Sequence, residues 1–395
     1  MLNVQGNNSN ELIEQPLDNQ QLFSLLTPSN KPIMQLEQAL ASVQLHFMAL
    51  RHLFEQQADR WLFSDRYLMS QFQSQWMVLA DADNKLHQFI ETLEERGESA
   101  AFWLTVQQST EHSSMQLSGG LLTVNHFLTE NVYPYFAQPL FVGATLFTSS
   151  RSNYLYEQLD LEKARTLQKR FALPFNYAEQ AELLIAKDAP IPNQTNNEEY
   201  TRYLAQTIYQ LCKNNQCQTM ILFNSLVTIE QVYSQLKETD LFDQRDILAQ
   251  GITGRREKLL KQFASGTSSI LLGASSFWEG IDLPKSSLEL LIITRLPFDS
   301  PNEIMTRAHN NLLKHEGKNP FYHAALPKAT MRLQQGIGRL LRTPDDFGVG
   351  IILDSRISTR RYGSSMLKNL PKDLPIKELS TVELVENAKK FLKKH

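Results

Sequence analysis

The chain has 395 residues, of which 42% are apolar and 21% charged, a length that suits two or three domains and a composition typical of a globular protein. Its formal net charge of −3 gives no overall field that attracts a polyanion, so contact with nucleic acid would require local basic patches. No apolar run approaches 18 residues and the N-terminal segment is polar, so we expect a cytoplasmic protein with neither a signal peptide nor a membrane span.

The N-terminal third is predicted to be mainly helical. Residues 1–30 are rich in Asn, Gln and Ser, and we expect them to form a loose lead-in. Within Ile33–Gln57 apolar residues recur three or four positions apart, which is typical of one stripe of a long amphipathic helix. A second helix is predicted near Lys85–Glu95, after the aromatic segment Trp61–Trp76. Two short strands follow, at Phe102–Val106 and Met115–Leu117.

From residue 140 onward short apolar strands alternate with helices. Pro139–Leu146 has the compact apolar composition of a buried strand, and the Pro- and Asn-rich stretch 188–197 is typical of a loop. This alternation predicts a parallel sheet covered by helices on both faces. The predicted strands are Thr219–Phe223, Asp246–Ala249, Ser269–Gly273, Leu288–Thr294 and Val349–Asp354, and the helices are Glu198–Lys213, Thr228–Lys237, Gly254–Ala264, Pro301–His315 and Lys328–Leu341.

The two cysteines, Cys212 and Cys217, argue against two kinds of site. A disulfide framework needs more cysteines, and a structural zinc or iron–sulfur site needs about four ligands. We therefore expect two reduced thiols and no iron–sulfur cluster in this chain.

Polar or kinked segments follow four of the predicted strands. Ligands of parallel α/β sheets bind beyond the carboxyl ends of the strands. Any one of these segments could be an ordinary strand-to-helix turn, but four of them together with the motif described next favour a functional edge. The segments are Asn224–Ser225, Ser275–Asp282, Arg295–Phe298 and Asp354–Arg356.

The last predicted helix carries the clearest chemical motif. Gln335–Arg342 follows the pattern Q-x-x-G-R-x-x-R, which would place Arg339 and Arg342 three residues apart on one helix face. Both guanidiniums could then reach one anion, such as the γ-phosphate of a nucleotide, where an arginine finger stabilises transition-state charge. The chain has no G-x-x-x-x-G-K-[ST] and no Asp-Glu dipeptide, so the phosphate-cradling half of such a site is missing.

Glu279 and Asp282 flank a Gly-Ile pair that permits a tight turn. A carboxylate here could hydrogen-bond a ribose hydroxyl or hold an arginine of the neighbouring helix. Asp282 could instead cap a helix whose first turn contains Pro284.

The order and spacing of these blocks resemble the motifs of superfamily 2 helicases, specifically the XPD/DinG group, over about residues 140–370. The segment S-F-W-E-G-I-D-L-P from Ser276 looks like motif V and Gln335–Arg342 like motif VI. Arg295–Phe298 and Asp354–Arg356 are similar to the segments at the intervening and closing strands. Ile221–Ser225 is similar to motif IV and Gly143–Leu146 to motif III.

The resemblance implies an α/β fold, with a RecA-like parallel sheet between two layers of helices, preceded by a mainly helical, arch-like region. The implied domains are a loose segment at 1–30, the arch-like region at 31–138, the last strand of motor domain 1 at 139–152, and motor domain 2 at 153–395.

The resemblance also implies roles for individual residues. Arg339 and Arg342 would contact ATP phosphates, with Arg342 as the finger. The nucleotide site would further include Gln335, Gly338 and Glu279 or Asp282, and the single-strand track would include Asn224, Ser225, Ser276, Phe277 and Arg295.

The implied function is the C-terminal portion of a DinG-type ATP-dependent 5′–3′ DNA helicase, with ATP and Mg²⁺ as cofactors and single-stranded DNA as partner. The chain departs from the family because it lacks the P-loop and the D-E-A-H box, and because Gly143 stands where motif III usually has serine. We therefore expect no ATPase activity from the chain alone. The alternatives are a non-catalytic remnant that binds single-stranded nucleic acid, and one half of a split helicase whose P-loop half is a separate polypeptide.

Overall fold

The computed structural model describes residues 12–17, 32–56, 63–96, 100–108, 113–123, 127–143, 145–146, 153–169, 171, 174–192, 194–278 and 288–394. The chain forms two compact units. Unit 1 is Met1–Val124 with Pro301–Lys318, and unit 2 is Asn125–Ser300 with Asn319–His395. Helices of seven or more residues are numbered α1–α9 below, and strands β1–β10.

Unit 1 combines long helices with a small antiparallel sheet. Its strands are β1 (Leu12–Leu17), β2 (Ala100–Gln108) and β3 (Ser113–Leu121), with β2 in the middle. Its helices are α1 (Pro32–Gln56), α2 (Phe63–Arg96) and α6 (Ile304–His315). The loose lead-in predicted for residues 1–30 is wrong at β1, because β1 pairs with β2 from Leu12 opposite Gln107 to Leu17 opposite Phe102.

The predicted helix at Ile33–Gln57 is confirmed by α1, whereas α2 begins about twenty residues before the predicted helix near Lys85. The extra turns of α2 carry Met69, Phe72 and Trp76 at helical spacing. The ring of Phe47 on α1 stacks on Trp76 with centroids 4.4 Å apart and contacts Phe72 at 5.0 Å. The aromatic segment therefore joins the two helices.

Unit 2 is built on a seven-stranded parallel sheet of order β10-β4-β9-β8-β5-β7-β6. The predicted sheet with helices on both faces is confirmed. The strands are β4 (Ala181–Ala186), β5 (Thr219–Phe223), β6 (Ile247–Ala249), β7 (Ile270–Ala274), β8 (Leu290–Ile293), β9 (Gly348–Ile352) and β10 (Ile376–Leu379). The helices are α3 (Asn197–Asn214), α4 (Leu226–Lys237), α5 (Arg256–Ser265), α7 (Leu326–Ile337), α8 (Arg361–Leu367) and α9 (Thr381–Lys394).

Both faces of this sheet are buried because alternate residues of each strand point to opposite sides. In β5, Ile221 and Phe223 pack with α3, α4 and α9, whereas Met220 and Leu222 pack with α5, α7 and α8. Short helical segments complete the described residues. They are α-helical at Phe127–Asn131, Tyr154–Gln158, Tyr177–Gln180, Leu241–Gln244 and Arg356–Thr359, 3₁₀ at Tyr133–Tyr135, Lys163–Arg165 and Ser275–Phe277, and π-helical at Phe321–Ala325.

The buried strand predicted at Pro139–Leu146 is wrong for the described residues of that segment. Residues 139–143 and 145–146 have no strand conformation, and Leu140 and Val142 are 85% and 84% exposed. A strand needs a neighbour to satisfy its backbone hydrogen bonds, and no described strand pairs with this segment.

Cys212 and Cys217 are free thiols inside unit 2. Burial raises the pKa of Cys212 to about 11 and that of Cys217 to about 12. Both groups are therefore neutral thiols at physiological pH and act as small core residues. Among the described helices, none combines the length and the apolar character that crossing a bilayer requires.

Candidate functional site: one edge of the parallel sheet

The four segments singled out in the sequence lie side by side. Strands β9, β8, β5 and β7 are consecutive neighbours and all run in the same direction. Their carboxyl ends therefore meet along one edge of the sheet, which we call the strand-end edge. It carries Asp354–Arg356 after β9, Arg295–Phe298 after β8, Asn224–Ser225 after β5 and Ser275–Ser276 after β7.

The backbone on either side of Arg295 is held by buried side chains. The hydroxyl of Tyr200, on α3, donates to the carbonyl of Thr294 at 2.8 Å. The amide of Leu296 donates to Oδ2 of Asp354 at 2.9 Å. Sequence reasoning missed Tyr200, because it lies 94 residues from Thr294 and no local pattern marks it.

Asn224 was predicted to line the single-strand track, and its side-chain Nδ2 has a structural role. Its Nδ2 donates to the carbonyls of Leu296 at 2.9 Å and Phe298 at 3.3 Å. It thereby ties the end of β5 to the segment that follows β8. Its buried Oδ1 has no hydrogen-bond partner among the described residues.

Two arginines interact with one buried carboxylate at this edge. Asp354 is fully buried and accepts hydrogen bonds from Nε of Arg356 at 2.9 Å and from its Nη2 at 2.6 Å. The guanidinium of Arg295 is partly buried nearby, and burial together with the like charge of Arg356 lowers its pKa. Burial, with a further contribution from Asp354, raises the pKa of Tyr200, which stays a neutral donor.

The two predicted serines present hydroxyl groups at the surface. Ser225 caps α4, since its Oγ accepts from the amide of Thr228 at 3.1 Å. Ser276 is exposed, with its Oγ 3.3 Å from Nε2 of Gln250. Exposed hydroxyls of this kind can donate to phosphate oxygens.

The prediction that Phe277 lines the track is wrong for its side chain. The ring is fully buried in the core on the α5, α7 and α8 face of the sheet. It packs so closely on β7 that a Cβ at Gly273 would collide with its Cγ. The next residue, Trp278, is also buried, and its Nε1 donates to the carbonyl of Phe223 at 2.9 Å.

The shared helix face predicted for Arg339 and Arg342 is also wrong, because α7 ends at Ile337. Arg339 lies in the turn beyond the helix and is only 6% exposed. Its guanidinium points inward and donates to the backbone carbonyls of Phe277 and Trp278. The first motif arginine therefore holds the segment after β7 in place.

Arg342 occupies a different position. It follows α7 and precedes β9, so it lies toward the amino ends of the strands, opposite the strand-end edge. Its backbone amide donates to Oδ2 of Asp346 at 2.8 Å, and its side chain is partly exposed. The fold thus separates Arg342 from the segments predicted to bind nucleic acid.

The remaining predicted nucleotide-site residues are only partly described. Gln335 is partly exposed, and its buried Oε1 has no hydrogen-bond partner among the described residues. Gly338 is exposed and ends α7. Glu279 and Asp282 lie outside the described residues.

A complete ATP–Mg²⁺ site does not fit the residues present. The sequence has no phosphate-cradling loop. Within the described ranges, no three His, Cys, Asp or Glu side chains come together to hold a metal ion. The described residues therefore supply neither a phosphate-cradling loop nor a cluster that could hold Mg²⁺.

Comparisons with known proteins agree with this architecture. The family described as "Helicase C-terminal domain" matches residues 208–373. The 3'-5' exonuclease DinG of Bacillus subtilis is 31% identical over 344 residues, covering 85% of this chain and 36% of the relative. The ATP-dependent DNA helicase YoaA of Haemophilus influenzae is 35% identical over 243 residues, covering 62% of this chain and 37% of the relative. The chain thus spans little more than a third of the length of these relatives.

A solved structure titled XPD helicase shares the fold, with a TM-score of 0.50 at 14% identity, covering 93% of this chain and 65% of that one. Residues 208–373 thus match the helicase C-terminal domain and contain a RecA-like parallel sheet, and the chain is similar to the XPD/DinG-like helicases.

Proposed function

We propose that unit 2 acts as the second motor domain of a DinG-type, ATP-dependent DNA helicase that moves 5′ to 3′. The observation that carries this proposal is the strand-end edge, where four motif-like segments from four adjacent strands meet. In this proposal the edge forms the single-strand track. Ser225, Ser276 and Arg295 contact phosphates there, and Asn224 holds the backbone beside them through its Nδ2.

The two motif arginines have different roles in this proposal. Arg339 is satisfied by two backbone carbonyls inside the domain, so it has a positioning role. Arg342 lies beyond α7 on the opposite side from the track. It would contact the phosphates of a nucleotide held by another motor domain, with Gln335 and Gly338 beside it.

The purified 395-residue chain is expected to show no ATP hydrolysis that single-stranded DNA stimulates. Supplying a polypeptide that carries G-x-x-x-x-G-K-[ST] and D-E-A-H should restore hydrolysis. Arg342→Ala should then lower the rate by about 10³- to 10⁵-fold, as the loss of an arginine finger does. Steady-state ATPase assays of the mixed polypeptides measure this effect.

Arg202→Ala is the matched control for that assay, because Arg202 is an exposed arginine of the same unit that pairs with Glu198 on its own helix. It should leave the restored rate unchanged. Stimulated hydrolysis by the chain alone would contradict the proposal, as would a restored rate that survives Arg342→Ala.

The second candidate function is a non-catalytic protein that holds single-stranded nucleic acid along the same edge. It is favoured because four motif-like segments meet at the strand-end edge, whereas the sequence has no phosphate-cradling loop. The DNA upstream of the start codon separates the candidates, since a reading frame there with the P-loop and D-E-A-H motifs supports a split helicase. Binding without hydrolysis, even when that polypeptide is supplied, supports the non-catalytic function.

A further inference from the structure

Four aromatic rings form a continuous block beside the strand-end edge. They belong to Phe298, Phe321, Tyr322 and Tyr362, and we call them the aromatic block. Phe298 and Phe321 stack with centroids 5.7 Å apart, and Tyr362 meets both edge-on at 5.6 and 5.2 Å. Tyr322 meets Phe321 edge-on at 5.3 Å.

One ring of the block is exposed to solvent, and hydrogen bonds hold the backbone that carries it. Tyr322 is 62% exposed, whereas the other three rings are partly buried. Oδ1 of Asn319 accepts from the amides of Phe321 at 3.0 Å and Tyr322 at 3.4 Å. These two residues begin the π-helical turn that precedes α7, and such turns recur at functional sites.

Charged side chains flank the block. Asp299, next to Phe298, pairs with Lys328 at 2.7 Å and with Arg332. Burial alone would raise the pKa of Asp299, but hydrogen bonds from these two cations lower it, so the carboxylate is ionised.

On the other side of the block, Tyr362 interacts electrostatically with Arg356, Arg360 and Asp354. Asp354 accepts two hydrogen bonds from Arg356 and interacts with Arg295. The charged groups linked to Tyr362, or to Asp299 beside Phe298, are four cations and two carboxylates, namely Arg356, Arg360, Lys328, Arg332, Asp354 and Asp299. The chain as a whole is acidic, with a net charge of −3, so this excess is local.

We infer that the aromatic block is a base-stacking site for a single-stranded nucleic acid, with a base on the ring of Tyr322 and the flanking phosphates near Arg295 and Arg360. This inference rests on the proposed function and adds to it a contact with the bases. An exposed ring on an aromatic support, flanked by cations, is how proteins hold single strands without reading their sequence. An apolar protein segment would match the ring but not the excess of positive charge.

The test measures binding of a fluorescent dT20 oligonucleotide by the 395-residue chain at low salt, using fluorescence anisotropy. Tyr322→Ala should weaken binding between about 5-fold and 150-fold, the usual range for one stacked base. Tyr322→Phe keeps the ring and should bind like the unchanged chain. Tyr322 is exposed, so neither variant threatens folding.

Two controls isolate the stacking contribution. Tyr135→Ala removes another exposed tyrosine of unit 2, 84% exposed, and should leave affinity unchanged. An oligonucleotide of the same length with abasic sugars keeps the phosphates and removes the bases, so Tyr322→Ala should not weaken its binding further.

Equal losses on the normal and abasic strands would overturn the stacking site, because the contact would then be with the backbone. Unchanged binding by Tyr322→Ala would overturn it as well while leaving the proposed track intact. Absence of binding by the unchanged chain would overturn both the track and the stacking site.

Discussion

Replacing Arg339 by alanine is expected to destabilise unit 2 by about 3–5 kcal/mol. The guanidinium is buried and donates to the carbonyls of Phe277 and Trp278. Each buried carbonyl that loses its donor costs about 1–3 kcal/mol, and the lost packing adds to this. Urea denaturation followed by circular dichroism measures the change in the free energy of unfolding.

Hydrogen exchange shows where the Arg339 effect acts, even if the alanine variant folds poorly. Arg339→Lys keeps a charge but not the two-pronged donor geometry, so amides in residues 270–278 should exchange faster than in the unchanged chain. Arg342→Ala should cost less stability than Arg339→Ala, because Arg342 is partly exposed whereas Arg339 is buried, and it should not speed exchange in residues 270–278. Equal effects of the two arginines would contradict the separate roles assigned to them.

Asp354→Ala is expected to be the next most costly substitution, at about 3 kcal/mol. The carboxylate is fully buried, and removing it leaves the charge of Arg356 without its carboxylate. Breaking a buried ion pair costs about 3–5 kcal/mol. The lower end of this range applies because the Arg356 side chain is 16% exposed, so water can partly solvate its charge. The substitution also releases the amide of Leu296.

A double-mutant cycle with Arg356→Ala isolates the pair. The double variant should be more stable than the sum of the two single effects predicts, since it leaves no buried charge uncompensated. Asp354→Asn keeps the shape of the side chain and one acceptor for Leu296, so it should cost less than the alanine variant. Additive effects of the two alanine substitutions would show that the pair does not couple.

Most elements of unit 2 after residue 197 could be predicted from the sequence. The predicted strands there are short apolar runs bounded by turn residues, and Thr219–Phe223 matches the structure at both ends. Strand β10, which reads Ile-Lys-Glu-Leu, lacks this pattern and was not predicted. Strand β4 reads Ala-Glu-Leu-Leu-Ile-Ala, a composition that favours a helix in isolation. It becomes a strand because it lies between β9 and β10, and because Glu182 pairs with Lys377 on β10.

The sequence was enough to predict that the four polar segments lie at one edge of the sheet. It was not enough to predict which side chains contact one another there. The alternation of strands and helices along the sequence is enough to place the four polar segments at the carboxyl ends of their strands. The orientation of Arg339 depends on where α7 ends, for which Gly338 is a local signal. Its inward direction also depends on contacts with Phe277 and Trp278, which no local pattern encodes. The burial of Phe277 likewise depends on its close approach to Gly273.

The salt dependence of single-strand binding tests the central claim, that the strand-end edge is a track for phosphates. The 395-residue chain should bind dT20 less tightly as salt rises, with a linear decrease of log affinity against log salt concentration. Arg295→Ala should weaken binding and reduce the slope by about 0.7, the value for one phosphate contact on a single strand. Arg342→Ala should change neither quantity. Binding that is absent, or that keeps its affinity and slope without Arg295, would contradict the claim.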